Sequence, residues 1–166
     1  MAEPGSAASP THSPLEGVAE YEAAIDTVIA SATRTLRVFD RSVSREFNSI
    51  RRYEVLRSFL LASRSNRLYI VVHEADGVMR DCPRLINLLR QFSHGVVIRR
   101  TQPRARRVYD PFTLADESNY VHRFHYDQPR AALSMGDLAG AQELLPRFEE
   151  IWDASDLALN ATTLGL

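Results

Sequence analysis

The residues most capable of chemistry are concentrated within residues 108–137. This stretch contains two of the five histidines of the chain, together with four aspartates, one glutamate and two arginines. Histidine and carboxylate side chains together can transfer protons, bind a divalent metal ion or bind a polar ligand. The chain contains no lysine, because all 20 of its basic residues are arginine. A lysine nucleophile, a Schiff base and a phosphate-binding ammonium group are therefore excluded.

The first candidate site within this stretch consists of His122, His125 and Asp127. Two histidines and an aspartate can bind Zn²⁺ and leave coordination positions open for water. On an extended strand, however, His122 and His125 project from opposite faces, so a turn over residues 126–129 would have to bring them together. A second possibility is a ligand site without metal, which also includes Arg123. We favour a structural interpretation, in which His125 and Asp127 bind local turn backbone and His122 packs against the sheet. We accordingly predict neither a metal ion nor a cofactor.

Asp40 and His73 form a second candidate group. Each lies at the carboxyl end of a predicted parallel strand, and ligands of open α/β sheets bind along that edge. If the two strands are neighbours, both side chains converge with His122 or Arg123 on one cleft that binds an anion or a small polar ligand. We favour a structural alternative, in which Asp40 accepts backbone hydrogen bonds from the loop that follows it.

An arginine-rich run forms the third candidate, with five arginines within residues 99–107. Guanidinium groups suit phosphates and nucleic-acid backbones, and Arg104, Arg106 and Arg107 are the candidate contacts. The run contains no interleaved aromatic residues for base stacking, and surrounding acids bring the net charge of the chain to −1. We therefore favour an exposed rim or intrachain salt bridges over nucleic-acid binding. A dimer contact is a third interpretation.

Hydrophobic periodicity predicts the elements that position these residues. Helical spacing covers residues 16–32, 48–62 and 84–92, and a last helix follows Asp137 as its N-cap, with a kink expected at Pro146. Strand patterns cover residues 34–40, 67–73, 95–100, 107–114, 119–125 and 130–135. The helix–strand alternation in the first half predicts right-handed crossovers and parallel pairing, whereas the short later strands predict antiparallel hairpins.

A chain of 166 residues corresponds to about one domain. Residues 1–15 are rich in Pro, Ser and Ala and lack the features of a signal peptide, which predicts a disordered tail. Residues 16–156 then form the domain and residues 157–166 a C-terminal tail. No apolar run approaches the ~18 residues of a membrane span, so we expect a cytoplasmic protein without membrane association. Cys82 is the only cysteine, which excludes an intrachain disulfide.

Four segments of residues 16–156 resemble one half of a phospholipase-D-like protein. They are IDTVIASATRTLRVFD, RLYIVVHEADGVMRDCPRLINLLRQFSHGVVIRR, VYDPFTLADESNYVHR and GDLAGAQELLPRFEEIW. The resemblance implies a single phospholipase-D-like α/β domain with a mixed sheet flanked by helices. More specifically, the chain is similar to an uncharacterised bacterial family that is often fused behind an N-acetyltransferase domain. No acetyltransferase sequence is present here.

The phospholipase-D-like resemblance implies a catalytic motif, H-x-K-x-x-x-x-D, in the third segment. In that family the histidine attacks phosphorus, the lysine helps to hold the phosphate oxygens and the aspartate supports the site. Aligning Asp116 with the motif aspartate places Tyr109 and Pro111 at the histidine and lysine positions. A shift by one residue restores neither side chain.

We therefore predict a non-catalytic binding or regulatory domain without phospholipase or nuclease activity. The resemblance implies a homodimer or docking onto a partner enzyme. One alternative is a hydrolase or phosphodiesterase with a rebuilt site at His73, His122, His125 and Asp127. The other is a nucleic-acid-binding protein that uses the arginine-rich run.

Overall fold

The computed structural model describes residues 8–159. The strands in this part of the chain are β1 (Thr11–Leu15), β2 (Thr35–Ser42), β3 (Arg67–Glu74), β4 (Val96–Thr101), β5 (Phe112–Ala115), β6 (Asn119–Arg123), β7 (Ala131–Met135) and β8 (Ser155–Leu159). The α-helices are α1 (Val18–Ser31), α2 (Ile50–Ala62), α3 (Val78–Asp81), α4 (Pro83–Gln91) and α5 (Leu138–Asp153). Short 3-10 helices cover Arg45–Asn48 and Pro103–Ala105. Among the helices of residues 8–159, none combines the length and the apolar character needed to cross a membrane.

All eight of these strands form one mixed sheet, in the order β1-β7-β6-β5-β2-β3-β4-β8. Strands β2, β3 and β4 are parallel neighbours, as the helix–strand alternation predicted. The remaining pairs are antiparallel, including the hairpin of β5 and β6 and the pairing of β6 with β7. The predicted mixed sheet with flanking helices is confirmed.

The two faces of the sheet carry separate cores. On one face Leu36 and Val38 of β2 join a core with residues of α1, α2 and α4, such as Leu56 and Leu88. Phe39 points to the opposite face, because side chains alternate along a strand. There it packs in a smaller core beneath α5, whose buried members are Phe39, Val71, Phe112, Leu144, Phe148 and Ile151.

Helix α5 begins at the predicted N-cap. The Asp137 carboxylate accepts hydrogen bonds from the Gly140 amide (3.1 Å) and from the Tyr120 hydroxyl (2.7 Å). A Cβ atom at Gly140 would lie 2.0 Å from that hydroxyl oxygen, so the close approach of β6 to the helix depends on glycine at this position. Pro146, where a kink was expected, lies inside the helix and does not end it before Asp153.

The prediction of a disordered tail through residue 15 is wrong for its last part. Strand β1 pairs along the edge of β7, where backbone groups would otherwise be unpaired, and His12 Nδ1 lies 3.0 Å from Ser134 Oγ. Pro14 fits this position because an edge strand tolerates a residue without an amide hydrogen. The predicted C-terminal tail is also ordered at its start, because β8 pairs with β4. The remaining parts of both predicted tails, residues 1–7 and 160–166, lie outside the described residues.

The strand expected over residues 107–114 begins only at Phe112. Upstream of it, the carbonyl groups of Val108 and Tyr109 accept hydrogen bonds from His73 and from the Tyr126 amide, at 2.7 and 2.9 Å. These two carbonyl groups therefore bond to a side chain of β3 and to the turn between β6 and β7, and not to the backbone of a neighbouring strand.

The turn between β5 and β6 depends on Asp116, which adopts a positive φ of 52°. Its carboxylate accepts hydrogen bonds from the amides of Thr33 (2.9 Å), Arg34 (2.8 Å) and Thr35 (3.0 Å), and from the Thr33 hydroxyl (3.1 Å). Burial alone would raise the pKa of this carboxyl group, but the hydrogen bonds from Thr35, Thr33 and Arg34 outweigh it and lower the pKa. The aspartate aligned with the phospholipase-D motif is therefore bound to the backbone at the start of β2.

We expect Asp116→Ala to lower the free energy of unfolding by about 2 kcal/mol at pH 7, because the amides lose a charged acceptor. Denaturant unfolding measures this difference, and Asp116→Asn should lose less. Because the folded-state pKa is depressed, the stabilisation is present at neutral pH and is lost as the pH falls through that pKa. The gap between wild type and Asp116→Ala should therefore narrow in acid. A gap that stays constant down to acidic pH would contradict this role.

Candidate ligand-binding cleft at the carboxyl edge of the sheet

The carboxyl ends of β2, β3 and β4 open into a cleft of about 290 Å³. Three arginines line it: Arg41 from β2, Arg100 from β4, and Arg106 from the loop that follows β4. Two carboxylates, Glu74 and Asp76, also line it. In an open α/β sheet this edge is where ligands bind, and three guanidinium groups in one cleft suit an anion.

The carboxylates hold the arginines only weakly. Arg41 Nε lies 3.4 Å from Glu74 Oε1, and Arg100 Nη1 lies 3.9 Å from Asp76 Oδ1. Both pairs are solvent-exposed, and exposed pairs of this kind contribute little stability. Within residues 8–159, no carboxylate oxygen lies within 4.0 Å of the Arg106 guanidinium. The three side chains are therefore available to an incoming anion.

His73 lies at the base of the cleft, and both of its ring nitrogens are used within the protein. Nε2 lies 2.7 Å from the Val108 carbonyl oxygen, which can only accept, so Nε2 carries the proton and donates. Nδ1 lies 2.7 Å from Thr101 Oγ1 and accepts from this hydroxyl in the neutral ring. The ring is buried and packs edge-on against Phe39, with centroids 5.3 Å apart. His73 thus anchors the loop before β5 and offers no lone pair to a substrate.

Asp40 does not share this cleft, so the predicted convergence of Asp40 with His73 is wrong. Asp40 alternates with Phe39 and Arg41 along β2 and therefore points to the face covered by α1. There burial raises the pKa of Asp40 to about 7, partly offset by a 2.6 Å hydrogen bond from the Arg41 amide. Arg123 lies on the same face, with its guanidinium 5.3 Å from the Tyr21 ring centroid.

His122 points to the α5 face and forms an interaction that was not predicted. Its Nε2 donates to Asp110 Oδ2 over 2.7 Å, and the other oxygen of that carboxylate pairs with Arg147 of α5. The three groups join β6, the loop before β5 and α5. His122 therefore already has a carboxylate partner within the protein.

His122 and His73 lie on the same face but are separated by two phenylalanine rings. Across four adjacent strands the ring centroids are 6.2 Å apart from His122 to Phe112, 5.7 Å from Phe112 to Phe39, and 5.3 Å from Phe39 to His73. This row is part of the packed core beneath α5. The two histidines consequently do not converge on one pocket.

His125 and Asp127 lie in the turn between β6 and β7. The Asp127 amide donates to His125 Nδ1 over 3.1 Å, and Asp127 Oδ1 lies 3.9 Å from Arg41 Nη1. Arg123 closes the turn by donating to the Gln128 carbonyl. Residues 8–159 contain no group of three or more His, Cys, Asp or Glu side chains arranged to hold a metal ion.

The arginine-rich run divides into residues with different environments. Arg99 is used in packing, because it donates to Ser155 Oγ over 2.8 Å and lies over the Trp152 ring at 5.1 Å. Arg104 Nε donates to Gln102 Oε1 over 3.1 Å, whereas Arg106 lines the cleft. Arg107 is exposed.

Sequence reasoning missed Arg41, Arg100 and Tyr126 as lining residues of the cleft. The first two had a usable signal, since each lies near the carboxyl end of a predicted parallel strand, beside residues that were considered. Tyr126 had none, because it belongs to a turn between two antiparallel strands and reaches the cleft only through the fold.

The fold of this chain is shared with proteins of known structure. Nuc from Salmonella typhimurium, a phospholipase D family member, has a TM-score of 0.64 and 14% identity over 90% of this chain and 99% of that chain. NucT from Helicobacter pylori has a TM-score of 0.62 and 12% identity over 90% of this chain and 100% of that chain. TrmBL2, an archaeal chromatin protein, has a TM-score of 0.66 and 10% identity over 89% of this chain and 55% of that chain. The chain is thus an α/β domain with the phospholipase-D-like fold.

The family is identified from the sequence. Residues 17–164 match the model of the domain of unknown function DUF7931, and the chain belongs to this family. The match extends through most of the predicted C-terminal tail. A comparison with curated proteins found no match.

The raised pKa of the partly buried Asp40 carboxyl group predicts a pH dependence of stability. Its folded-state pKa of about 7 lies above the ordinary aspartate value of 3.8, so the folded state binds the proton more tightly and loses stability as the pH rises between these values. We expect Asp40→Asn to remove this loss and to be more stable than wild type at pH 8, by about 1–2 kcal/mol after solvent screening. Denaturant unfolding at pH 4.5 and pH 8 measures the free energy of unfolding of both proteins. A difference between the two proteins that is the same at both pH values would contradict the prediction.

Proposed function

We propose that the cleft at the carboxyl edge binds a phosphate-bearing ligand without cleaving it. The observation that carries this proposal is the composition of the cleft: Arg41, Arg100 and Arg106 line it, while His73 uses both ring nitrogens within the protein. A guanidinium group donates several hydrogen bonds in a planar fork that matches phosphate oxygens. The cleft can therefore hold a phosphate, but its histidine is not arranged as a nucleophile.

The absence of the histidine and lysine of the phospholipase-D-like motif supports the same proposal. The reaction of that family needs a nucleophilic histidine and a lysine, and this chain contains no lysine. Tyr109 and Pro111 align with those two positions when Asp116 aligns with the motif aspartate. Asp116 accepts hydrogen bonds from the backbone at the start of β2. This structural role accounts for an aspartate at this position without any part in catalysis.

We expect Arg100→Gln and Arg106→Gln each to weaken binding of inorganic phosphate roughly tenfold, because each removes a charge-assisted hydrogen bond. An NMR titration of the full chain with phosphate measures this. Arg57→Gln, an equal charge change at an exposed position of α2, is the matched control and should leave the affinity unchanged. Equal affinities in all four proteins, or no binding to wild type, would contradict the proposal.

The hydrolase alternative makes a different prediction. With a phosphodiester such as bis(p-nitrophenyl) phosphate, supplied with Zn²⁺ or Mn²⁺, we expect no turnover above that of His122→Ala. Metal analysis after equilibration should give a substoichiometric metal content. Stoichiometric metal together with turnover that is lost in His122→Ala would favour a rebuilt hydrolytic site.

A further inference from the structure

We propose that the ligand of this cleft is a single-stranded nucleic acid, whose bases stack on an aromatic cluster beside the arginines. The cluster consists of Tyr109, His125 and Tyr126. This inference rests on the proposed phosphate binding and specifies the ligand class of the same site.

The three rings pack against one another. The centroids of Tyr109 and His125 are 5.5 Å apart, those of His125 and Tyr126 are 4.8 Å apart, and those of Tyr109 and Tyr126 are 5.8 Å apart. A backbone hydrogen bond of 2.9 Å from the Tyr126 amide to the Tyr109 carbonyl joins the two loops that carry them. Tyr109 is 43% exposed, so the cluster presents aromatic surface to solvent although its rings are held by neighbours.

The aromatic cluster is continuous with the arginine-lined cleft. Tyr126 lines the cleft, and the Arg41 guanidinium lies over its ring at 4.8 Å. Base and phosphate of one nucleotide are joined through a single sugar, so a bound strand needs stacking and anion-binding groups side by side. Here the two kinds of group are in direct contact.

Two exposed arginines flank the cleft-lining Arg106 in the chain. Arg104, Arg106 and Arg107 belong to the connection after β4, and all three are exposed. Exposed guanidinium groups close together in the chain suit contacts with the phosphates of a strand. Residues 99–107 contain no aromatic residue, but the fold places Tyr109, later in the same connection, against His125 and Tyr126 of the turn between β6 and β7.

The chemistry favours a single strand over a duplex or a lipid headgroup. Stacking on an aromatic side chain needs an unpaired base with a free face, which a duplex hides within its base stack. A lipid headgroup offers the phosphate but no planar base that could stack on the rings. The combination of rings and guanidinium groups therefore distinguishes among phosphate-bearing ligands.

Fluorescence anisotropy with a labelled oligothymidylate of twelve nucleotides tests this assignment in the full chain. We expect Tyr126→Leu and Tyr109→Leu each to weaken binding by about tenfold, because each removes a stacking surface. Phe124→Leu is the matched control, since Phe124 is an exposed aromatic residue outside the cluster, and its affinity should change less than twofold. Wild type should bind an abasic strand of equal length about tenfold more weakly, and added salt should weaken binding to both.

The phosphate titration of the same variants separates this inference from the proposed function. Inorganic phosphate should bind Tyr109→Leu, whose side chain does not line the cleft, as tightly as wild type. Equal loss of phosphate and oligonucleotide affinity in Tyr109→Leu would overturn the inference, because the ring would then act only by supporting the cleft. Oligonucleotide binding that is unaffected by both tyrosine substitutions, or tighter binding to phosphatidylglycerol vesicles than to oligothymidylate, would also overturn it. A wild type that binds no phosphate would instead remove the proposed function.

Discussion

The pairing of β2 with β3 is the constraint on which the carboxyl edge depends. Val38 pairs with Ile70 and Asp40 with Val72, and β3 is buried along most of its length. Because side chains alternate along β2, this register sends Arg41 to the cleft and Asp40 to the opposite face. A slip of one residue would exchange the two faces and bury the guanidinium of Arg41. The hydrophobic pattern of the central strands therefore decides which polar groups meet at the edge.

A buried charge network joins α1 and α2 on the face of the sheet opposite α5. Arg52 of α2 is 1% exposed, and its Nε donates to Asp26 of α1 over 2.8 Å while its Nη2 lies 2.9 Å from Glu22 Oε2. The guanidinium also lies over the Phe47 ring at 4.7 Å. Removing one partner of such a group leaves an uncompensated buried charge, so the network holds α1 and α2 together. The polar groups of this network are therefore engaged in structural interactions.

The sequence predicted the fold further than the site. Helix and strand periodicity located every long element, because burial repeats along the chain with the period of each structure. The phospholipase-D-like resemblance then supplied the topology. By contrast, the hydrogen bond of His73 to Val108 and the pairing of His122 with Asp110 each join a strand to a loop that is not adjacent to it in the sequence. Periodicity carries no information on such contacts, so Asp40 and His73 were expected to share a pocket that the strand alternation forbids.

All basic residues of this chain are arginine, which determines how the positive charge of the cleft responds to pH and to modification. A guanidinium group stays protonated at every pH at which proteins are folded, whereas an ammonium group can lose its proton in an apolar site. Lysine acetylation, a common means of cancelling positive charge in a binding surface, has no side-chain target in this chain. The positive charge of Arg41, Arg100 and Arg106 is therefore permanent. Neither a pH change within the folded range nor lysine acetylation can therefore cancel the arginine charge on which the proposed anion binding depends.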